Sequence, residues 1–274
     1  MIVSELSIAD APRNVALSNA IGWPDTEPEW QVIHSAGYVL GALRAGGGEL
    51  VAQGALGLCE GAGTIAKMVV AASARRQGLG AAILDRLLSE ADRRALPVVG
   101  LIATPLGEPL YVTRGFEPLG EVIISVGTPR LDEHAPSAPA LQVRPVTDAP
   151  QILSIERRFM AGSRAGMLRA RLACSSVTAL TEGGYALATP QPGGTRIGPI
   201  IAENVGVARA LACALFRAAP GLVRLDVPGE QREFRDWLIS LGMVEKGVHR
   251  EMSRGGAVPW NVPQRFCQAT QAWG

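Results

Sequence analysis

At 274 residues the chain is longer than one core ordinarily organises, so two lobes are expected. Its 47% hydrophobic and 19% charged residues and net charge of +1 describe a globular protein with no general attraction for nucleic acid or an anionic membrane. The four cysteines (Cys59, Cys174, Cys213, Cys267) are scattered without CxxC pairing, the opening MIVSELSIADAPR has no basic stretch before an apolar run, and nothing approaches the roughly 20 apolar residues that span a bilayer. Neither a metal site, a disulfide framework, a signal peptide nor a membrane anchor is expected, and a reducing cytoplasm is the expected home.

In chain order, a short apolar strand over 2–8 leads into a helix beginning near Asp10, and the two prolines in Gly22–Trp30 interrupt it. Strand-like runs follow at 38–44, 49–58 and 64–70, separated by Gly46-Gly47-Gly48 and Gly61-Ala62-Gly63, the pattern of an antiparallel meander. Between Gly80 and Arg94, Ile83, Leu84, Leu87, Leu88 and Ala91 recur at helical spacing, opposite Asp85, Arg86, Glu90 and Arg93. A buried strand at 98–103, a short helix over 109–114 and a strand at 116–126 complete an α+β plan on one mixed sheet.

The run GTPRLDEHAPSAP (127–139) has linker composition. Beyond it LQVRPVTDAPQI resembles the chain's own start, with Asp-Ala-Pro at 148–150 echoing 10–12. The segment 222–247 echoes 98–120 as strand, proline, helix, glycine, strand. An internal duplication follows: a first domain over 1–128, a linker over 129–140, a second domain over 141–256 and a tail over 257–274. In the tail Phe266, Ala269, Thr270 and Trp273 share a helical face, which predicts a helix packing on the body or lying over a cleft.

The chemistry concentrates in Met68-Val69-Val70, a small-residue loop, and Arg75-Arg76-Gln77-Gly78-Leu79-Gly80-Ala81. A strand ends, glycines let the backbone approach a ligand, and a helix begins whose first N–H groups have no intrahelical partners. Those amides and the helix dipole suit a pyrophosphate, with Arg75 and Arg76 in reach of its charge. A flexible turn with two solvated arginines would explain a lone GxG, but not one set between a strand and an amphipathic helix. The GxGxxG dinucleotide fingerprint and the P-loop's terminal Gly-Lys-Ser/Thr are both missing.

The run Arg75-x-x-Gly78-x-Gly80-Ala81 resembles the pyrophosphate signature of GNAT N-acetyltransferases, and Leu110-Tyr111-Val112-Thr113-Arg114-Gly115-Phe116 resembles their LYxxxGF segment. The resemblance covers about residues 2–126 and implies the GNAT fold, a mixed, mostly antiparallel sheet flanked by helices, here duplicated. It also implies acetyl-CoA as donor and Tyr111 as the acid that protonates the departing thiolate. In that family the strand before the loop splays from its neighbour and the pantetheine arm fills the gap. Backbone groups of Met68 and Val70 would then meet the arm, an N–H near Val69 would polarise the thioester carbonyl, and Thr104 would lie beside it.

A neutral amine then attacks directly within a ternary complex, and Cys59, on an apolar strand, is expected to be core rather than nucleophile. The general base is open among Asp25, Glu27, Glu29 and Glu60, with His34 the nearest imidazole in sequence. Trp23, Asp25, Glu29 and Trp30, after the first helix, are candidates to receive a cationic amine.

In the second half the signatures have decayed: Glu203 takes the place of Arg75 and Leu238 that of Tyr111. The whole chain also resembles a bacterial group of tandem GNAT proteins through Thr104-Pro105-x-Gly107-x-Pro109-Leu110-Tyr111, Ile197-Gly198-Pro199, Asp226-Val227-Pro228 and the tail Val262–Phe266. The expected activity is acetyl transfer to a small-molecule amine by a monomer or homodimer, without nucleic-acid or membrane partners. A protein or peptide acceptor and a non-catalytic CoA-binding regulator are the alternatives.

Overall fold

The computed structural model describes residues 2–44, 46, 48–132, 135–138, 140–145 and 149–272. The expectations that rest on Gly47, Asp148 and Trp273 fall outside them. The first half runs β1 (Val3–Glu5), α1 (Ala11–Asn19), α2 (Glu27–Ala36), β2 (Gly37–Leu43), β3 (Leu50–Cys59), β4 (Ala62–Val70), α3 (Leu79–Arg93), β5 (Val99–Ala103), α4 (Glu108–Val112) and β6 (Glu117–Gly127). The second repeats the plan as β7 (Gln142–Pro145), α5 (Ala149–Phe159), α6 (Ala165–Cys174), β8 (Val177–Thr181), β9 (Gly184–Gln191), β10 (Gly194–Ala202), α7 (Val205–Ala218), β11 (Val223–Pro228), α8 (Arg232–Ser240) and β12 (Val244–Arg254).

Local chemistry explains these elements. Pro12 sits in the first turn of α1, where a missing N–H costs nothing. Asp10 does not cap α1 through its side chain: it accepts from the Ser7 backbone N–H at 2.9 Å and pairs with Arg13 at 2.8 Å. Instead of only breaking a helix, the Gly22–Trp30 segment starts a new one. Thr26 and Glu29 form a capping box at the head of α2, with Pro28 in its first turn. On α3 the apolar stripe Ile83, Leu84, Leu87, Leu88 and Ala91 is buried against β2–β5, while α1 and α2 pack on the opposite face. In the second half α7 and α8 cover one face and α5 and α6 the other.

All strands join one sheet in the order β1-β2-β3-β4-β5-β12-β6-β11-β10-β9-β8-β7. Neighbours are antiparallel except at β4–β5 and β10–β11, the equivalent positions of the two halves. The order also shows an exchange: β12, the last long strand of the second half, pairs with β5 of the first, while β6 pairs with β11 of the second. Each half's sheet is thus completed by a strand from the other.

The tail differs from the expected helix. Pairing with β10 wins over the helix: the tail forms a short strand, β13 (Arg265–Cys267), with Cys267 opposite Ile200 and Arg265 opposite Ile201. Arg265 is fully buried and bidentate to Glu251 at 2.8 and 2.7 Å, and Phe266 meets Phe234 edge-on at 5.7 Å. These contacts account for the Val262–Phe266 motif.

Candidate active site

The parallel ladder between β4 and β5 pairs Gly63, Thr64 and Ile65 with Val99, Gly100 and Leu101 and then stops. From Ala66 to Val70 the β5-facing edge of β4 has no strand beside it, so its backbone groups border a wedge. A bulge sharpens the turn away: Val69 faces Gln53 and Ala66 faces Ala55, so Lys67 and Met68 together oppose Gly54. Lys67 carries the bulge at φ +54°, a region that β-carbons disfavour. Its ammonium is held by the carboxylate of Asp25, which also accepts from the indole N–H of Trp30 at 3.2 Å.

At one end of the wedge α3 begins at Gly78, whose φ of +75° favours glycine, and no side chain caps the helix. The first amides of this 15-residue helix are therefore available to an anion. Arg75, Arg76 and Gln77 are exposed around them, Gly80 is half-buried, Leu79 anchors the turn in the core, and Ala81 continues the helix. A β-carbon at Gly80 would meet Val70 Cγ2 at 3.5 Å, so the residue lies directly against the end of β4.

At the other end the wedge opens into a cavity of about 340 Å³ lined by Met68, Thr104 and Tyr111. Tyr111 is 6% exposed, lies edge-on to Phe116 with ring centroids 5.9 Å apart, and has no hydrogen bond from its hydroxyl to another described residue. Burial pushes its phenol well above the ordinary value, so the O–H form persists at neutral pH as a proton donor.

Of the acceptor-side residues expected from sequence, Trp23, Asp25 and Glu29 reach this cavity. Trp30 does not: it is fully buried and supports Asp25 from behind. The two carboxylates are also committed rather than free for a cationic amine. Glu29 accepts from Arg171 at 3.0 Å and Gln191 at 3.1 Å. Burial alone would raise its pKa, but Arg171, Lys67 and Arg196 outweigh that and hold it below the ordinary carboxylate value. Glu27 and Glu60 are exposed and do not line the cavity. His34 lies outside it too, with Nε2 bonded to Asn14 at 2.9 Å in a polar network that continues to Gln53. Burial raises the Cys59 thiol to about 11, which keeps it an unreactive thiol.

Sequence reasoning missed the part of the wall that the second half supplies, Gln191, Arg196, Arg224 and His249; the tail, expected to pack on the body or lie over a cleft, adds Thr270 and Gln271. Asp226, fully buried, holds both arginines, accepting from Arg196 and, at 2.9 and 3.3 Å, from Arg224. The Asp226-Val227-Pro228 motif was the one available sign of this wall. Among the described residues no cluster of His, Cys, Asp and Glu has the arrangement of a metal site, and no helix is long and apolar enough to cross a membrane.

Two acetyltransferase (GNAT) domain models match the chain in tandem, one over residues 26–131 and one over 152–265. The uncharacterized N-acetyltransferase YitH of Bacillus subtilis strain 168 is 26% identical over 239 residues, 82% of each chain. Among solved structures, a Pyrococcus horikoshii protein assigned as an acetyltransferase superposes with a TM-score of 0.86 at 18% identity. That match spans all of this chain and 95% of the other. A tandem GNAT protein from the clavulanic acid biosynthesis pathway reaches 0.62 at 14% identity, over 94% of this chain and 99% of its own. The structural likenesses share the fold, and with a domain model on each half the chain belongs to the GNAT acetyltransferases and carries two such domains in tandem.

Proposed function

We propose that the protein transfers an acetyl group from acetyl-CoA directly to a primary amine of a small molecule, both substrates being bound together in the first half's wedge and the cavity it opens into. The observation that carries this reading is the convergence of three features on one channel. These are an uncapped helix start at Gly78, a strand edge free from Ala66 to Val70, and a cavity of about 340 Å³ holding a buried, protonated tyrosine.

Each feature fits one part of the donor. The amides at the start of α3, with Arg75 and Arg76, would hold the pyrophosphate. The edge of β4 at Met68 and Val70 would pair with the amide-bearing arm as a neighbouring strand does, and an N–H near Val69 would stabilise the developing charge on the thioester oxygen. Tyr111 would give its proton to the departing sulfur. Direct transfer is supported by the cavity wall, which among the described residues contains no cysteine or serine to carry the acyl group. The cavity is walled by both halves and the tail, dimensions suited to a small acceptor rather than a folded protein.

The test is a coupled assay of CoA thiol release over a panel of small primary amines, run beside lysine-containing peptides. Turnover with free amines is expected. Turnover confined to peptides would favour a protein acceptor, and none with any amine would reject the reading.

A further inference from the structure

Acetyl transfer to an alkylamine needs a base, because the amine arrives as an ammonium ion. We infer that His249, delivered by the second half, is that base; the inference rests on the acetyl-transfer reading above. The cavity is lined by seven ionisable side chains among the described residues: Asp25, Glu29, Lys67, Tyr111, Arg196, Arg224 and His249. Asp25 is tied to Lys67 and Trp30, and Glu29 to Arg171, Gln191 and its capping box. The phenol is held as O–H, and Lys67, Arg196 and Arg224 are cations engaged with carboxylates. Of the seven, only the imidazole is neither ion-paired to a neighbour nor held protonated by burial.

Its orientation is set by one contact. Nδ1 of His249 lies 2.8 Å from Oε1 of Gln271 in the tail. With that oxygen as the acceptor, Nδ1 carries the hydrogen and the lone pair of the neutral ring falls on Nε2, which bonds to no other described residue. The strand exchange places this group. His249 pairs with Val122 of β6 and stands one residue before Arg250, which pairs with Ala103 at the end of β5; the next residue, Thr104, lines the same cavity as His249 and Tyr111. The acid of the first half and the base of the second thus share one chamber.

The protons balance. Nε2 takes one proton from the acceptor ammonium, the freed nitrogen forms the C–N bond, and the C–S bond breaks. Tyr111 gives its proton to the sulfur, and the second proton lost by the nitrogen restores the phenol. The imidazolium then releases its proton to solvent. Gln271 acts through His249 as a positioning residue, accepting from Nδ1 to hold the ring in the useful tautomer.

The experiment compares two nucleophiles in the full chain with acetyl-CoA at neutral pH: benzylamine, which is an ammonium ion there, and hydroxylamine, which is already neutral. For His249→Gln, transfer to benzylamine is expected to fall by roughly 10²- to 10⁴-fold, with transfer to hydroxylamine within about threefold of wild type. His249→Ala should regain benzylamine turnover on addition of imidazole. ¹⁵N NMR of the histidine ring should show hydrogen on Nδ1. Equal rates for wild type and His249→Gln with benzylamine, or hydrogen on Nε2, would overturn the assignment while leaving the acetyl-transfer reading in place. A wild-type protein that acetylates neither nucleophile nor any amine of the panel above would overturn that reading and the role of His249 with it.

Discussion

Between β4 and β5 the parallel ladder stops at Ile65 and the wedge beyond it is open. Between β10 and β11 the ladder stops at Arg196, and there the chain's own tail lies inside. Cys267 pairs with Ile200 across β13, and the Gln268 N–H donates to the Asp226 carbonyl at 2.9 Å, so the tail bridges both walls. The helix starts differ as well. At α3 a glycine leaves the first amides free, whereas at α7 Asn204 accepts from the Val207 N–H at 3.0 Å. Past the fifth strand the two halves close alike: the Phe116 N–H donates to the Tyr111 carbonyl at 3.2 Å and the Met243 N–H to the Leu238 carbonyl at 3.1 Å. Leu238 therefore occupies the tyrosine's place and has no hydroxyl to donate. The second half, whose own wedge is filled, supplies β12 to its twin's sheet and Gln191, Arg196, Arg224 and His249 to its twin's cavity.

The comparison can be broken most sharply at the helix starts. Gly80→Glu places a carboxylate against the end of β4, where the pyrophosphate would lie, and should weaken acetyl-CoA binding about 1,000-fold or more by calorimetry. Tyr111→Phe keeps the ring packing on Phe116 and removes only the proton, so turnover should fall roughly 10- to 1,000-fold while acetyl-CoA affinity stays the same. A similar loss of affinity would instead make Tyr111 a packing residue, as Leu238 is.

The filled wedge offers a smaller effect. A β-carbon at Gly198 would fall 2.0 Å from the Gln268 carbonyl oxygen, so the tail can lie there only beside a glycine. Gly198→Ala should cost about 1–3 kcal/mol of stability and raise amide exchange over residues 265–268. Unchanged protection would mean that the tail is not wedged where it lies. The smallest effect is at the seam. Glu29 is held below its ordinary value of 4.5 by cations from both halves, so its contribution is whole above that value and is lost as pH falls through the depressed one. Melting temperature should therefore drop as the pH falls below 4.5, less steeply in Glu29→Gln.

Much of the first half was legible in its sequence because its signals are local. The apolar stripe of α3 requires a helix, Gly61 and Gly78 take positive φ where a turn and a helix start were expected, and the LYxxxGF run sets Tyr111 beneath the sheet. The exchange of β6 and β12 was not legible. The choice between the two neighbours is made by edge pairing between strands about a hundred residues or more apart in the chain, which no local pattern encodes. The cavity's far wall was hidden for the same reason. Arg196, Arg224 and His249 look like surface charges until the exchange turns them inward against Asp226 and Gln271. Trp30 misled in the other direction: beside three acids it suggests a cation receptor, but the core took the ring and Lys67 took the nearest acid.

The most direct test of the account is the stoichiometry of acetyl-CoA on the full chain, measured by calorimetry for wild type and for Gly206→Glu, which alters the start of α7. One site per chain, undisturbed by Gly206→Glu, is expected if the first wedge alone binds the donor. Two sites per chain, or a site removed by Gly206→Glu, would contradict the division of labour between the halves.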